Sequence, residues 1–266
     1  MDPTNNILSR PRLQFRLRTV LLFVTILTFP LAWMASRIQQ ARLEHAEVSW
    51  VEEMGGMAFS ENRMLGKWLG GTVVDVEFVS TQVSDLSPIA GLKNVQSLRL
   101  LRNKNLQDLS PLDRLNKLEH LDLLGSPVSD LSPLAGLSNL RLLTLANTQV
   151  SDLSPLSGLM NLQVIQVENT PVRDLSPVSG LKKLRYLLLS GTEVTDLSPL
   201  IGLNNLEYLD ITGTQVTDLS PLAGLTNLEF LHLENTPVSV EQVRLLQQAL
   251  PTCDIRYSIR SDGDKG

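Results

Sequence analysis

The chain has 266 residues, 42% of them hydrophobic and 19% charged, with a formal net charge of −5 and one cysteine, Cys253. Its first 42 residues hold six arginines against one acid, Asp2, so the remainder carries −10. An acidic body lacks the basic side chains that neutralise phosphate, which argues against nucleic acid as a partner, and a lone cysteine rules out an intramolecular disulfide framework.

Residues 1–18 form a short polar segment carrying Arg10, Arg12, Arg16 and Arg18. Residues 19–36 are an apolar run closed by Arg37, at the short end of the length that spans a bilayer. Arginines crowd its N-terminal side, while Glu44, Glu47, Glu52 and Glu53 follow it. The positive-inside rule therefore predicts a signal anchor: a single-pass protein with a cytoplasmic N-terminus and the rest of the chain periplasmic or extracellular. A cleaved signal peptide is the competing reading. Ala32-Trp33-Met34-Ala35-Ser36 is a poor cleavage site because Trp33 and Met34 crowd it, and either reading exports the remainder.

Residues 37–72 are expected to be an N-terminal helical cap, with a helix over 37–53 ended by Gly55-Gly56 and a following segment covering the open end of a core. From residue 73 to 238 a 22-residue unit recurs. Asp85-Leu86-Ser87-Pro88 opens a series of Asp-Leu-Ser-Pro tetrapeptides continued from Asp108, Asp130, Asp152, Asp174, Asp196 and Asp218. Within the unit Leu140–Leu159, Leu143 and Leu145 alternate as in a short half-buried strand. Val150, Leu153, Leu156 and Leu159 then recur every third residue, as in a tight 3₁₀-like return. One coil closes with its leucines inward and cannot bury them alone, so coils must stack into a solenoid. In each tetrapeptide the serine is placed to cap the turn that proline opens, the aspartate to accept loop amides, and Gly158 and its equivalents to let the chain leave.

These units resemble the bacterial leucine-rich repeats of internalin type, L-x-x-L-x-L-x-x-N-x-I-x-D-I-x-P-L-x-x-L, over 73–233. The resemblance implies an α/β repeat solenoid with a parallel β-sheet on the concave face, short 3₁₀ turns on the convex face, and binding of a protein or envelope polymer rather than catalysis. One departure is consistent. The position of the family's asparagine ladder holds Thr81, Thr148, Thr170, Thr192, Thr214 and Thr236, with Asn103 and Ser126 as exceptions. A threonine hydroxyl can bond locally there but offers fewer sites. The second coil carries one extra residue around Asn103-Lys104-Asn105.

Eight strands are predicted, centred on Val76, Leu98, Leu121, Leu143, Ile165, Leu187, Leu209 and Leu231. The residues flanking these centres point to the concave face. One outward column reads Asp75, Ser97, His120, Leu142, Val164, Tyr186, Tyr208, Phe230. The other reads Glu77, Arg99, Asp122, Thr144, Gln166, Leu188, Asp210, His232. Three aromatics on adjacent coils are candidate anchors for a partner, with Leu188, Asp210 and His232 beside them. The same three could equally form a ladder that stiffens the sheet and needs no ligand.

Residues 239–260 are expected to be a C-terminal cap of one helix, with Val240, Val243, Leu246 and Leu250 on one face, and a last strand beside the buried Cys253; residues 261–266 are expected to be a disordered tail. His120 and Asp122 share a strand face, but no nucleophile, phosphate loop or metal spacing accompanies them, so neither enzyme activity nor a cofactor is expected. Two functions follow: an anchored module that binds through its concave face, or a structural envelope component that associates with copies of itself.

Overall fold

A computed structural model describes residues 48–60 and 73–258. The expected cytoplasmic tail 1–18, the membrane segment 19–36, most of the first cap helix, residues 61–72 and the tail 261–266 lie outside the described residues. Among the described residues no helix is long and apolar enough to cross a membrane.

Ten strands form one sheet in sequence order: β1 Met57–Ser60, β2 Val73–Val79, β3 Ser97–Leu101, β4 His120–Asp122, β5 Leu142–Thr144, β6 Val164–Gln166, β7 Tyr186–Leu188, β8 Tyr208–Asp210, β9 Phe230–His232 and β10 Asp254–Arg256. All eight predicted strand centres lie in β2 to β9. They stand opposite one another in unbroken parallel register, from Val76 beside Leu98 through to Leu209 beside Leu231. The extra residue of the second coil falls after β3, so the sheet keeps its register.

Each coil closes because its apolar residues meet. Leu143, Leu145, Val150, Leu153, Leu156 and Leu159 are all 1% exposed or less, and the same positions fill the core in every repeat. A fully buried leucine contributes roughly 1.5–3 kcal/mol of transfer free energy, against which the ordering of the chain is set. The inward stripe of one coil is thus covered by the coils on either side.

The tetrapeptide works differently from expectation at its serine. Each 3₁₀ turn begins at that serine, with the preceding leucine at the N-cap and no side-chain cap. The aspartate does the capping. Its Oδ1 accepts the serine amide at 2.7–2.8 Å in all seven units, and from Asp130 onward Oδ2 takes the serine hydroxyl as well. A serine inside the turn has its hydroxyl within reach of the carboxylate, a charged acceptor that draws its proton. Hydrogen bonds from Ser132 and Ser176, amide before hydroxyl, hold Asp130 and Asp174 below the ordinary carboxylate range.

The glycine expectation also needs correction. Gly202, φ +78°, is left-handed as expected, but Gly136, Gly158 and Gly224 are not, and a Cβ at those three would meet nothing within 4 Å. The left-handed residue of each coil lies after the strand instead, at Ser80, Arg102, Gly125, Asn147, Asn169, Gly191, Gly213 and Asn235. There Asn and Gly tolerate positive φ at little cost.

The polar column behind the strands behaves in two ways. In the later coils the hydroxyls of Thr148, Thr170, Thr192, Thr214 and Thr236 donate to the carbonyl three residues earlier, at 2.5–2.7 Å. In the first coils the column joins neighbours: the Thr81 hydroxyl donates to Asn103 Oδ1, Asn103 Nδ2 donates to the Phe78 carbonyl, and the Ser126 hydroxyl donates to the Leu100 carbonyl. Sequence reading missed a second ladder. Asn139, Asn161, Asn205 and Asn227 each donate through Nδ2 to a carbonyl 23 residues back, at 2.6–2.8 Å.

Both ends of the core are covered. A helical turn over 48–53 buries Val51 and sets Trp50 edge-on to Phe78, with ring centroids 5.5 Å apart. It ends at Gly55, φ +77°, whose successor Gly56 donates to the Val51 carbonyl. The cap is not helical throughout, because β1 then pairs antiparallel with β2. At the other end Ser239 caps the helix Val240–Ala249 by accepting the Gln242 amide. Val243, Leu246 and Leu250 are buried, but Val240 is 55% exposed, since it sits in the first turn before the helix meets the core. Cys253 is buried and its amide donates to the Leu250 carbonyl, as that of Leu228 donates to Leu225. Burial, then the charge of Asp254, pushes the thiol up to about 11.

Candidate functional site on the concave face

Parallel strands in register stack equivalent side chains, so the two outward columns become two rows across the concave face. The row from Asp75 to Phe230 brings Tyr186, Tyr208 and Phe230 side by side on β7, β8 and β9. The Tyr186 and Tyr208 rings stack at 6.3 Å between centroids with 30° between planes; Tyr208 and Phe230 are 6.3 Å apart at 39°. The rings therefore do form a ladder. They also stay open, with Tyr186 37% and Phe230 41% exposed and Tyr208 half-buried between them.

The second row supplies the neighbours of these rings. Leu188 lies beside Asp210, and Asp210 beside His232. The Tyr208 hydroxyl meets His232 Nδ1 at 3.1 Å, with the two rings edge to face at 5.2 Å. Asp210 Oδ1 accepts the Thr212 amide. Burial, and next the charge of Asp210, pushes the Tyr208 phenol above its usual value. All six predicted residues thus share one patch, with Tyr208 tied into it by ring contacts and a hydrogen bond.

On the entry side of the strands, Arg185 grips Glu207 through two hydrogen bonds of 2.7 Å. These bonds hold the Glu207 carboxyl below its ordinary range. The same guanidinium lies over the Tyr186 ring, 5.5 Å from its centroid. A hollow of about 530 Å³ opens beside Phe230, walled by Glu207, Glu229 and Asp254.

The sequence reading stopped one position short on the exit side, where a third outward row reads Val79, Leu101, Leu124, Ala146, Glu168, Ser190, Thr212 and Glu234. Period-2 alternation extended by two residues past each strand centre pair would have found it. Glu168 is half-buried, and its Oε2 has no hydrogen-bond partner. Burial pushes its carboxyl up. Glu234 accepts the Thr212 hydroxyl.

The N-terminal half of the face is of another kind. A hollow of about 330 Å³ is lined by Ser97, Arg99, His120, Asp122, Thr144 and Gln166 among others. Arg99 stands 3.8 Å from Glu77, and Asp122 Oδ1 accepts the Leu124 amide. Burial pushes Asp122 up, yet its carboxylate is engaged by backbone and not by His120. Among the described residues no group of three or more His, Cys, Asp or Glu is placed to hold a metal ion.

The family described as Leucine Rich repeats (2 copies) matches residues 138–180, 182–224 and 205–244. Among solved structures, internalin C2 of Listeria monocytogenes strain 4b F2365 is 33% identical, with a TM-score of 0.65 over 70% of this chain and 81% of that one. Internalin F of the same strain is 28% identical, with a TM-score of 0.57 over 70% of this chain and 62% of that one. No curated protein matches the chain.

Proposed function

From a chain that belongs to the leucine-rich repeat proteins and has internalins as structural neighbours, we propose a non-catalytic binding module that holds a protein partner on its concave face. The observation that carries this reading is the aromatic row. Tyr186 and Phe230 stay more than a third exposed on an ordered sheet, where large rigid rings offer contact area at low entropic cost.

The apolar stretch 19–36 with its flanking arginines supports the further reading that the module is membrane-anchored, with its N-terminus in the cytoplasm and its repeats outside. A reporter enzyme active only after export, fused behind residue 43, should be active; an inactive fusion would reject that orientation.

Affinity capture from native envelope extract tests the binding reading, using the full chain beside a Tyr186→Ala, Tyr208→Ala, Phe230→Ala variant whose fold is checked by circular dichroism. A partner held by the first and lost by the second is expected. Equal capture by both would reject the aromatic site.

A further inference from the structure

Resting on that reading, we propose that the partner presents an extended basic segment, its guanidinium or ammonium groups seated over the aromatic row between two carboxylate rims. Three observations combine. Arg185 already lies over the Tyr186 ring, so one ring of the row carries a cation on its face. Among the described residues, no other Lys or Arg stands over a ring of the row.

Charge is the second observation. Glu207, Glu229 and Asp254 line the entry side at Phe230, and Asp210, Glu234 and Glu168 lie towards the exit side. Among the described residues, Arg185 and Arg256 are already paired with Glu207 and Asp254, and Lys183 is turned away to Asn161 Oδ1. Glu168, Asp210, Glu229 and Glu234 have no ion pair among the described residues, so the patch keeps a surplus of negative charge for a positively charged partner. The hollow beside Phe230 is roomy enough for the head of a long basic side chain.

Spacing is the third. Successive rings stand 6.3 Å apart, whereas every second residue of an extended chain repeats at about 6.4–6.8 Å. A strand-like segment lying along the row sets alternate side chains over successive rings, while a helix, with a pitch of 5.4 Å, falls out of step.

Fluorescence anisotropy with labelled peptides tests this on the full chain in neutral detergent. A ten-residue peptide alternating arginine and threonine should bind, and one alternating glutamate and threonine should not. Substituting Asp210→Asn, Glu229→Gln and Glu234→Gln together should weaken binding by at least about 10-fold, the order seen when close charge pairs are removed. A convex control, Asp108→Asn, Asp152→Asn and Asp196→Asn, removes the same charge and should change binding by less than about 2-fold.

Equal loss in both variants would overturn the proposal in favour of diffuse attraction, and so would no preference for arginine over glutamate. A peptide with arginine at every third residue should bind more weakly; equal binding would overturn the alternate-residue register. If the arginine peptide fails while the aromatic variant still loses its captured partner, the concave site stands and its cationic chemistry falls.

Discussion

The first coils and the later ones share one backbone and use it for different purposes. From β2 to β4 the polar column reaches across coils through Thr81, Asn103 and Ser126, and the concave face carries Glu77, Arg99, His120 and Asp122. From β5 to β9 each threonine closes on its own coil, and the first outward row turns apolar and then aromatic. Leucines set the solenoid, and they do so equally at both ends. What the outward positions carry is free to diverge, so a binding patch can be placed on one half without disturbing the other.

If the scaffold is uniform, Leu121→Ala in the first region and Leu209→Ala in the second should each cost about 2–5 kcal/mol, the range for emptying a packed core site. Urea unfolding followed by circular dichroism measures both, and a gap wider than that range would show that one half carries the stability. The polar columns should then separate the halves. Asn103→Ala leaves the Phe78 carbonyl and the Thr81 hydroxyl without their partner, for a loss of about 1–3 kcal/mol. Thr214→Val keeps the shape and removes one local bond to Ile211, for about 0.5–1.5 kcal/mol. If Thr214→Val cost as much as Asn103→Ala, the contrast between bridging and local columns would be void.

The smallest expected effect has the opposite sign. Burial raises the Glu168 carboxyl above the ordinary carboxylate range in the fold, so its protonated form favours the native state. That contribution is full below the unfolded value and is lost as pH rises through the folded one. Glu168→Gln should therefore unfold at a slightly higher urea concentration than the parent at pH 7, with the two converging below pH 4. A variant weaker than the parent at pH 7 would mean that Glu168 has a stabilising role its orphaned oxygen does not reveal.

The strands were legible because burial is written twice, in the alternation within a coil and in its return 22 residues later; every centre from Val76 to Leu231 follows from that. Tyr186, Tyr208 and Phe230 were legible as a row because an exact structural period converts sequence spacing into adjacency. Direction and competition among polar groups were not. Nothing in the sequence tells whether a serine hydroxyl in the tetrapeptide caps an amide or turns to the aspartate beside it, since both lie within reach. The left-handed residue was sought at Gly158 because glycine advertises it, yet Asn147 and Arg102 carry it without glycine. Glu168 was overlooked because it lies past the residues that pair as a strand.

Unbroken register also sets how such a protein can change. A segment of 22 residues is a whole number of coils, so its duplication or loss lengthens or shortens the sheet by one strand while every remaining side chain keeps its face. The gene can therefore add or remove coils ahead of β7, copy by copy, and leave the aromatic patch on β7, β8 and β9 unaltered.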